Sequence, residues 1–450
     1  MITRIDTIIL LAYFITIMAV GVFLSRKKDR SASGFFLAGR SLNAFHVGSS
    51  IISTLAGGAT IFSAIGLGFI YGIDVIWFFL AGVVGILLFR ACIPHIRTLA
   101  KRHKCITLAQ LLEPLAGRRT AILASIITIF IFSGFIAVNF LLASQVAQSF
   151  LGIHPYIIMC LFAGIVVLYT ILGGFRAVVF TDIIQMFIIL AGLLSVVIVG
   201  FLLLDHQAMT RLPSDFFQPF HAGPVFIVGI FLSTILAYFG SQDVFQRIFA
   251  ARSTKEARIS TIFIAVIFSV FAIFFFGISI IARALLPSGI EGGAVPLLIL
   301  GILPTGLIGL VLASYLAMAN STADSELVSV ASSIEQDLIR RRMGQGGRKA
   351  LVLAIAVLSL LIAIIFGNII HVILSLYTWL GILGLVVIVS LYSTRISKSF
   401  LFWSLLGGFV SAIIYTLFTS DVESAMIVGL LPSALILAIG YLVARLRGEP

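Results

Sequence analysis

Long apolar runs separated by short charged loops set the rhythm of this chain. As helices, runs of about 20 residues match the hydrocarbon thickness of a bilayer. The pattern predicts thirteen spans: 5–24, 44–71, 75–93, 120–150, 156–173, 177–204, 224–242, 259–285, 304–338, 350–368, 370–391, 399–418 and 422–444. Two of them are interrupted. The second holds Ser53–Ser63 with Gly57 and Gly58 in its middle, and the seventh ends in Tyr238–Arg247 with Gly240 among polar residues. A glycine pair in mid-span lets a helix open and expose its backbone, although the same pair also allows close helix packing. The interruptions begin two sets of five spans, 44–204 and 224–391. Five is odd, so the second set enters the membrane in the opposite sense. Broken first helices in two inverted halves point to a transporter with a midplane site.

The stretch Ala317–Asp337 departs most from the apolar background. It follows the apolar run 305–316 and precedes Arg340, Arg341 and Arg342. On a helix, Met318, Ser321, Thr322, Ser325, Ser329 and Ser332 form one stripe, with Asp324 and Glu326 alongside. Lipid offers such groups no partner. Hydroxyls bonding back to their own helix account for two or three of them. A cation-binding stripe accounts for them all.

Composition narrows the class. Apolar residues make up 61% of the chain and charged residues 10%, against about 25% charged in soluble domains. The expectation is an all-α polytopic membrane protein, with the lipid bilayer as its partner. The net charge of +12 raises nucleic acid as a partner, but the basic residues sit in short clusters between apolar runs, which is the positive-inside pattern. Arg4, Arg211 and Arg283 fall on one side and the other Lys and Arg residues on the opposite side. That places the N-terminus outside and the C-terminus in the cytoplasm, in the plasma (inner) membrane, with no nucleic-acid partner. The run 5–24 is span length and is followed by Arg26, Lys27, Lys28 and Arg30, so it reads as a span rather than a signal peptide. Cys92, Cys105 and Cys160 show no CxxC spacing, and the histidines no HExxH. With no paired nucleophile and base and no phosphate loop, the chain does not read as an enzyme. The chain divides into 1–43 (an extra helix and cytoplasmic link), 44–204, an outer loop 205–223, 224–391, and 392–450 (two further helices and a short tail). The outer loop 286–303 carries an apolar piece at 295–300. The cytoplasmic loop 97–119 is expected to hold a short surface helix.

Four stretches carry a resemblance. They are Gly39–Phe45 (GRSLNAF), Ile171–Gln185 (ILGGFRAVVFTDIIQ), Gln246–Ser253 (QRIFAARS) and Ala317–Asp337. Together they resemble the sodium/solute symporter family, the group that includes the proline, pantothenate, sialic-acid, iodide and glucose symporters. The likeness runs from about residue 5 to about 420. It implies a LeuT-like core of ten helices in two inverted five-helix repeats, with one helix before and two after. It also implies uptake of a small organic solute by alternating access, coupled to Na⁺, by a monomer. A main sodium site is implied at the carbonyls of Ser53, Ala56 and Met318 and the hydroxyls of Ser321 and Thr322. A second is implied at Asp182, Asp324 and Ser325 with Ser321. Asp182 also reads as a helix-start carboxylate pairing with Arg176. A proton-coupled symporter using Asp182 or Asp324 and a non-transporting receptor or scaffold are the other readings.

The chain departs from the family pattern at three places. Asn320 stands where the family often has Met, and Leu55 where proline-type members have an Asp. Span 121–150 lacks the arginine that sialic-acid members place there. Open amides at Gly57 and Gly58 offer an alternative anchor for a carboxylate. By position, the solute contacts are Thr54, Gly57, Thr60 and Phe62 at the first interruption, and Asn139 and Gln145 in the fourth span. Tyr238, Gln242, Tyr377 and Trp379 complete the set.

Overall fold

A computed structural model of the chain describes residues 3–25, 31–286, 301–365, 369–419 and 422–447. These residues form helices throughout, apart from one parallel bridge between Leu42 and Ala251. In chain order the elements begin with α1 (Arg4–Ser25), α2 (Ala32–Leu37), α3 (Ala44–Leu55), α4 (Gly58–Tyr71), α5 (Val75–Arg102) and α6 (Leu108–Ala116). They continue with α7 (Arg118–Leu151), α8 (Pro155–Leu203), α9 (His206–Met209), α10 (Pro224–Gly240), α11 (Gln242–Ala250) and α12 (Thr254–Leu285). The last are α13 (Leu307–Ser333), α14 (Gln345–Ile365), α15 (Ile369–Tyr392), α16 (Lys398–Phe418) and α17 (Val422–Leu446).

Among the described residues, ten helices are long and apolar enough to cross a membrane, or eleven if the bent pair α10–α11 is one span. The protein is therefore a multi-pass membrane protein. The sequence pattern predicts thirteen spans, and local features separate the counts. Helix α3 has 12 residues, about 18 Å of rise, too short to cross alone, and α4 and α5 count together as one stretch, Ser63–Arg102, over the second and third predicted spans. Helix α10 bends by 46° into α11. Helix α8 runs 49 residues through both the fifth and sixth predicted spans. At about 1.5 Å per residue that exceeds twice the hydrocarbon thickness of about 30 Å. It is divided at Gly174 (φ 61, ψ −159), a conformation that L side chains rarely adopt.

Helix starts follow their capping residues. The Asn43 side chain accepts the His46 N–H, Thr107 that of Gln110, and Ser253 that of Glu256. The surface helix expected in the loop 97–119 is α6, which buries Leu108, Leu111 and Leu112. Loop 205–223 is pinned by Asp74, which accepts the N–H groups of Phe220 at 2.8 Å and Ala222 at 2.7 Å. The apolar piece 295–300 lies outside the described residues.

Large apolar side chains such as Phe187, Leu202, Leu361 and Phe418 are exposed, as helices that face acyl chains require. The polar groups are inside. Helix α13 is buried from Val311 to Ser333 and packs against α8, α7 and α1. The hydroxyl stripe is therefore the centre of the bundle, and every element of the site below touches it or its neighbours.

Candidate functional site

The site begins where α3 ends. Leu55 closes the helix, Ala56 (φ −78, ψ 36) leaves the helical region, and Gly57 (φ −61, ψ 153) is extended before α4 starts at Gly58. The opening lies directly against α13. A Cβ on Gly57 would stand 2.2 Å from Thr322 Oγ1, and one on Gly58 would stand 3.1 Å from the Ala319 nitrogen. A side chain at Gly57 would force Thr322 to move, and one at Gly58 would press on the α13 backbone. Thr322 Oγ1 lies 3.0 Å from the Thr54 carbonyl and 3.1 Å from the Met318 carbonyl. Ser53 Oγ donates to the Asp182 carbonyl at 2.7 Å, and Ser321 Oγ donates to Asp182 Oδ1 at 2.5 Å. Ser53, Ala56, Met318, Ser321 and Thr322 are all buried here. One small volume between α3, α13 and α8 thus gathers three neutral carbonyl groups, several hydroxyls and a carboxylate. Hard cations favour such oxygen sets.

A second layer adjoins it. Asp324 accepts from the Tyr169 hydroxyl and from Ser325 Oγ at 3.2 Å. Tyr169 also reaches Asn320 Oδ1 at 3.1 Å, and Asn320 Nδ2 donates to the Tyr13 hydroxyl at 3.1 Å. Asn320 thus serves as a polar link between α13, α8 and α1. Asp182 is not at a helix start. It sits two turns beyond the Gly174 break, and its cation is Arg247 rather than Arg176.

Arg247 is the residue that sequence reading missed. Counted with the cytoplasmic loop charges, it is in fact fully buried on α11. Its Nε donates to Ser50 Oγ at 2.7 Å. Its Nη2 donates to Thr54 Oγ1 at 2.8 Å, Ser325 Oγ at 2.5 Å and Asp182 Oδ2 at 3.3 Å. Nη1 lies 3.9 Å from Asp243 Oδ2 and donates to the Asp243 carbonyl at 3.2 Å. The guanidinium also stands 5.5 Å from the Phe175 ring centroid. A rigid fork of donors is suited to tying three helices together. One signal was available in the sequence: Asp243 and Arg247 are an i, i+4 pair just past Gly240.

A pocket opens beside the first break. Thr54, Gly57, Thr60, Asn139, Tyr238 and Tyr377 line it, and all six are solute positions expected from the sequence. It also takes in Asp243, Glu326 and the rings of Phe78, Phe132, Phe135 and Phe268. The hydroxyls of Thr60 and Tyr377 meet at 3.1 Å and narrow it toward a second cavity that extends to Asp74. Three expected positions lie elsewhere. Gln242 accepts the Leu108 N–H at 2.6 Å and donates to Ser332 Oγ at 3.2 Å. Trp379 packs on Phe130 and Phe409 with ring centroids 5.3 and 5.5 Å away. Gln145, further along α7, is not among the lining residues. The side chain of Phe62 lies outside the described residues.

The opposite end of the bundle is shut by polar contacts. Gln246 bridges Ser329 Oγ at 2.8 Å and the Phe36 carbonyl at 2.7 Å. Asp337 accepts from Thr107 at 2.6 Å and Ser125 at 2.5 Å. Glu335 holds Arg348 through bonds of 2.7 and 2.8 Å. Arg40 reaches the Cys105 carbonyl at 2.8 Å, and burial pushes the Cys105 thiol up to about 11.

Comparison with known proteins places this arrangement. The family model of the sodium:solute symporter family matches residues 35–408. The sodium/sialic acid symporter SiaT of Proteus mirabilis is 27% identical over 386 residues, covering 80% of this chain and 76% of the relative. The rat (Rattus norvegicus) sodium/glucose cotransporter 2 is 24% identical, covering 90% of this chain and 70% of the relative. Among solved structures, a substrate-bound outward-open Na⁺-coupled sialic acid symporter superposes with a TM-score of 0.83 at 21% identity, covering 98% of both chains. A closed form of Mhp1, a nucleobase-cation-symport-1 family transporter, gives 0.55 at 15% identity, covering 93% of this chain and 95% of the other. These structural likenesses bear on the fold.

Proposed function

Because the chain belongs to the sodium:solute symporter family and couples solute movement to Na⁺, we propose that Na⁺ binds where the α3–α4 break meets α13. In this reading the ion takes the carbonyls of Ser53, Ala56 and Met318 and the hydroxyls of Ser321 and Thr322. The pocket beside it takes the solute. The supporting observation is the approach of Gly57 to Thr322, so close that a Cβ there would force the Thr322 side chain to move. An ion at that junction ties the broken helix to α13 and shapes the pocket wall that Thr54, Gly57 and Thr322 share. The two ligands are thereby linked by one coupling free energy. One charge moving down a potential of 100 mV supplies about 2.3 kcal/mol to drive the solute.

The architecture that goes with this reading has thirteen spans. The α3–α4 and α10–α11 pairs count as broken spans that each cross once, and α8 divides into two at Gly174. The repeats are 44–204 and 224–391, in inverted sense. They are joined by 205–223 and flanked by 1–43 and 392–450, with the N-terminus outside. Asp182, Asp324, Ser325 and Ser321 form a second ion position on the side of the closed end. Arg247 occupies part of that layer as the lock on Asp182.

Thermal unfolding of the purified protein with and without Na⁺ tests the main site, since a ligand bound only by the native state raises stability. Na⁺ is expected to raise the melting temperature of the wild type, and Ser321→Ala or Thr322→Ala to remove most of that rise. Equal stabilisation of wild type and both variants contradicts the assignment.

A further inference from the structure

The pocket carries charge that the ion site does not use. Glu326, on α13 one turn past Thr322, lines it at 5% exposure, and its Oε2 has no hydrogen-bond partner among the described residues. Asp243 lines the same pocket, with Oδ1 accepting from Ser241 Oγ and Oδ2 3.9 Å from Arg247. None of the residues lining this pocket, or the cavity outward of it, is basic. A buried carboxylate oxygen without a partner is costly, and one facing a cavity at membrane depth marks a ligand contact.

Charge balance points the same way. Asp182, Asp243, Asp324 and Glu326 are buried around a single guanidinium, Arg247. The pocket walls supply the other half of the chemistry. Tyr238, Tyr377 and the rings of Phe78, Phe135 and Phe268 surround the space, and aromatic faces attract organic cations.

We propose that the transported solute is a small organic monocation, an ammonium or quaternary ammonium group seated between Glu326 and the aromatic walls. This deepens the reading of the pocket as the solute site and rests on it. The same features disfavour an anionic solute. A carboxylate entering here meets Glu326 and Asp243 with no free cation among the lining residues, and this agrees with the missing arginine in span 121–150.

The experiment measures binding in saturating Na⁺ by thermal shift and by inhibition of Na⁺-driven uptake of labelled choline in proteoliposomes. The probes are choline, phenylethylamine and agmatine, with their uncharged counterparts 3,3-dimethylbutanol and 2-phenylethanol, and glucose and sialic acid. At least one cation is expected to bind tenfold or more tightly than its uncharged counterpart, glucose and sialic acid. Glu326→Gln is expected to weaken that cation tenfold or more while leaving the Na⁺-induced thermal shift unchanged. The wild-type comparison of charged and uncharged probes stands even if the variant fails to fold. Preference for glucose, sialic acid or an uncharged counterpart overturns the proposal. So does cation binding that Glu326→Gln leaves intact, or no cation binding in a protein that Na⁺ stabilises. If Na⁺ itself gives no shift in the wild type, the failure lies in the ion-site reading instead.

Discussion

The two helix breaks face the same cavity but are built differently. At Ala56–Gly57 the chain presents backbone to α13. Its nearest obstacle is a side chain, the Thr322 hydroxyl. At Gly240–Ser241 the chain presents backbone to backbone. A Cβ on Gly240 would stand 2.1 Å from the Leu380 carbonyl, and one on Gly384 would stand 1.9 Å from that of Leu236. Beyond the second break, α11 is buried along its whole length and delivers Asp243, Gln246 and Arg247 into the bundle. The first break offers neutral oxygens and meets a side chain. The second is clamped on α15 and offers fixed charges. A neutral-oxygen site suits a reversible ion, whereas a charged fork in low dielectric suits a permanent tie.

If that contrast holds, Arg247→Gln has the largest effect. It leaves Asp182 buried without its cation, a loss of about 3–5 kcal/mol, read as a large drop in melting temperature and in the yield of folded protein. Asp182→Asn in the same chain is expected to recover part of the loss, because the two charges are one unit. Next comes Gly240→Ala. The atoms in its way belong to the backbone of α15 and cannot rotate aside, so about 3 kcal/mol is expected. Gly57→Ala meets the Thr322 hydroxyl first, with the Thr54 carbonyl at 3.1 Å and Thr322 Cβ at 3.2 Å behind it, so a loss of about 1–2 kcal/mol is expected, below that of Gly240→Ala. Its Na⁺-induced thermal shift should nevertheless fall well below that of Gly240→Ala. Equal behaviour of the two alanine variants removes the distinction between a yielding and a clamped break. The smallest effect is on thiol chemistry. Cys105 is buried with its thiol pushed up to about 11. Since the thiolate is the reactive form, maleimide at neutral pH is expected to modify Cys105 only after unfolding.

Much of this was legible in the sequence because membranes restrict what a chain can do. Apolar run lengths gave the helices, and the glycines at 57, 58 and 240 marked both breaks. The polar spacing of Met318, Ser321 and Thr322 marked the face of α13 that meets the first break. The side-chain partners were less legible. Arg247 looked like a loop charge, because its burial depends on the bend at Gly240 folding α11 inward. Asp182 looked like a helix start, because hydropathy begins the sixth span at 177, whereas the helix resumes directly after Gly174. Gln242 and Trp379 share spans with pocket residues but point to other neighbours, and helical rotation past a bend is not fixed by hydropathy. Glu326 was noted beside the stripe. Its unpartnered oxygen emerges only when the pocket around it is assembled.

The most direct test is equilibrium binding of radiolabelled Na⁺ to the purified wild type, Ser321→Ala, Thr322→Ala and Ser404→Ala. Ser404 is a buried hydroxyl held by the Ser433 carbonyl at 2.9 Å, between α16 and α17 and away from either break. On the scale of hydrogen bonds to charged groups, about 1.5–3 kcal/mol, loss of one oxygen ligand should weaken Na⁺ about tenfold or more in both α13 variants, with Ser404→Ala unchanged. Wild-type affinity in Ser321→Ala and Thr322→Ala would contradict the claim that the first break and the α13 hydroxyls hold the coupling ion.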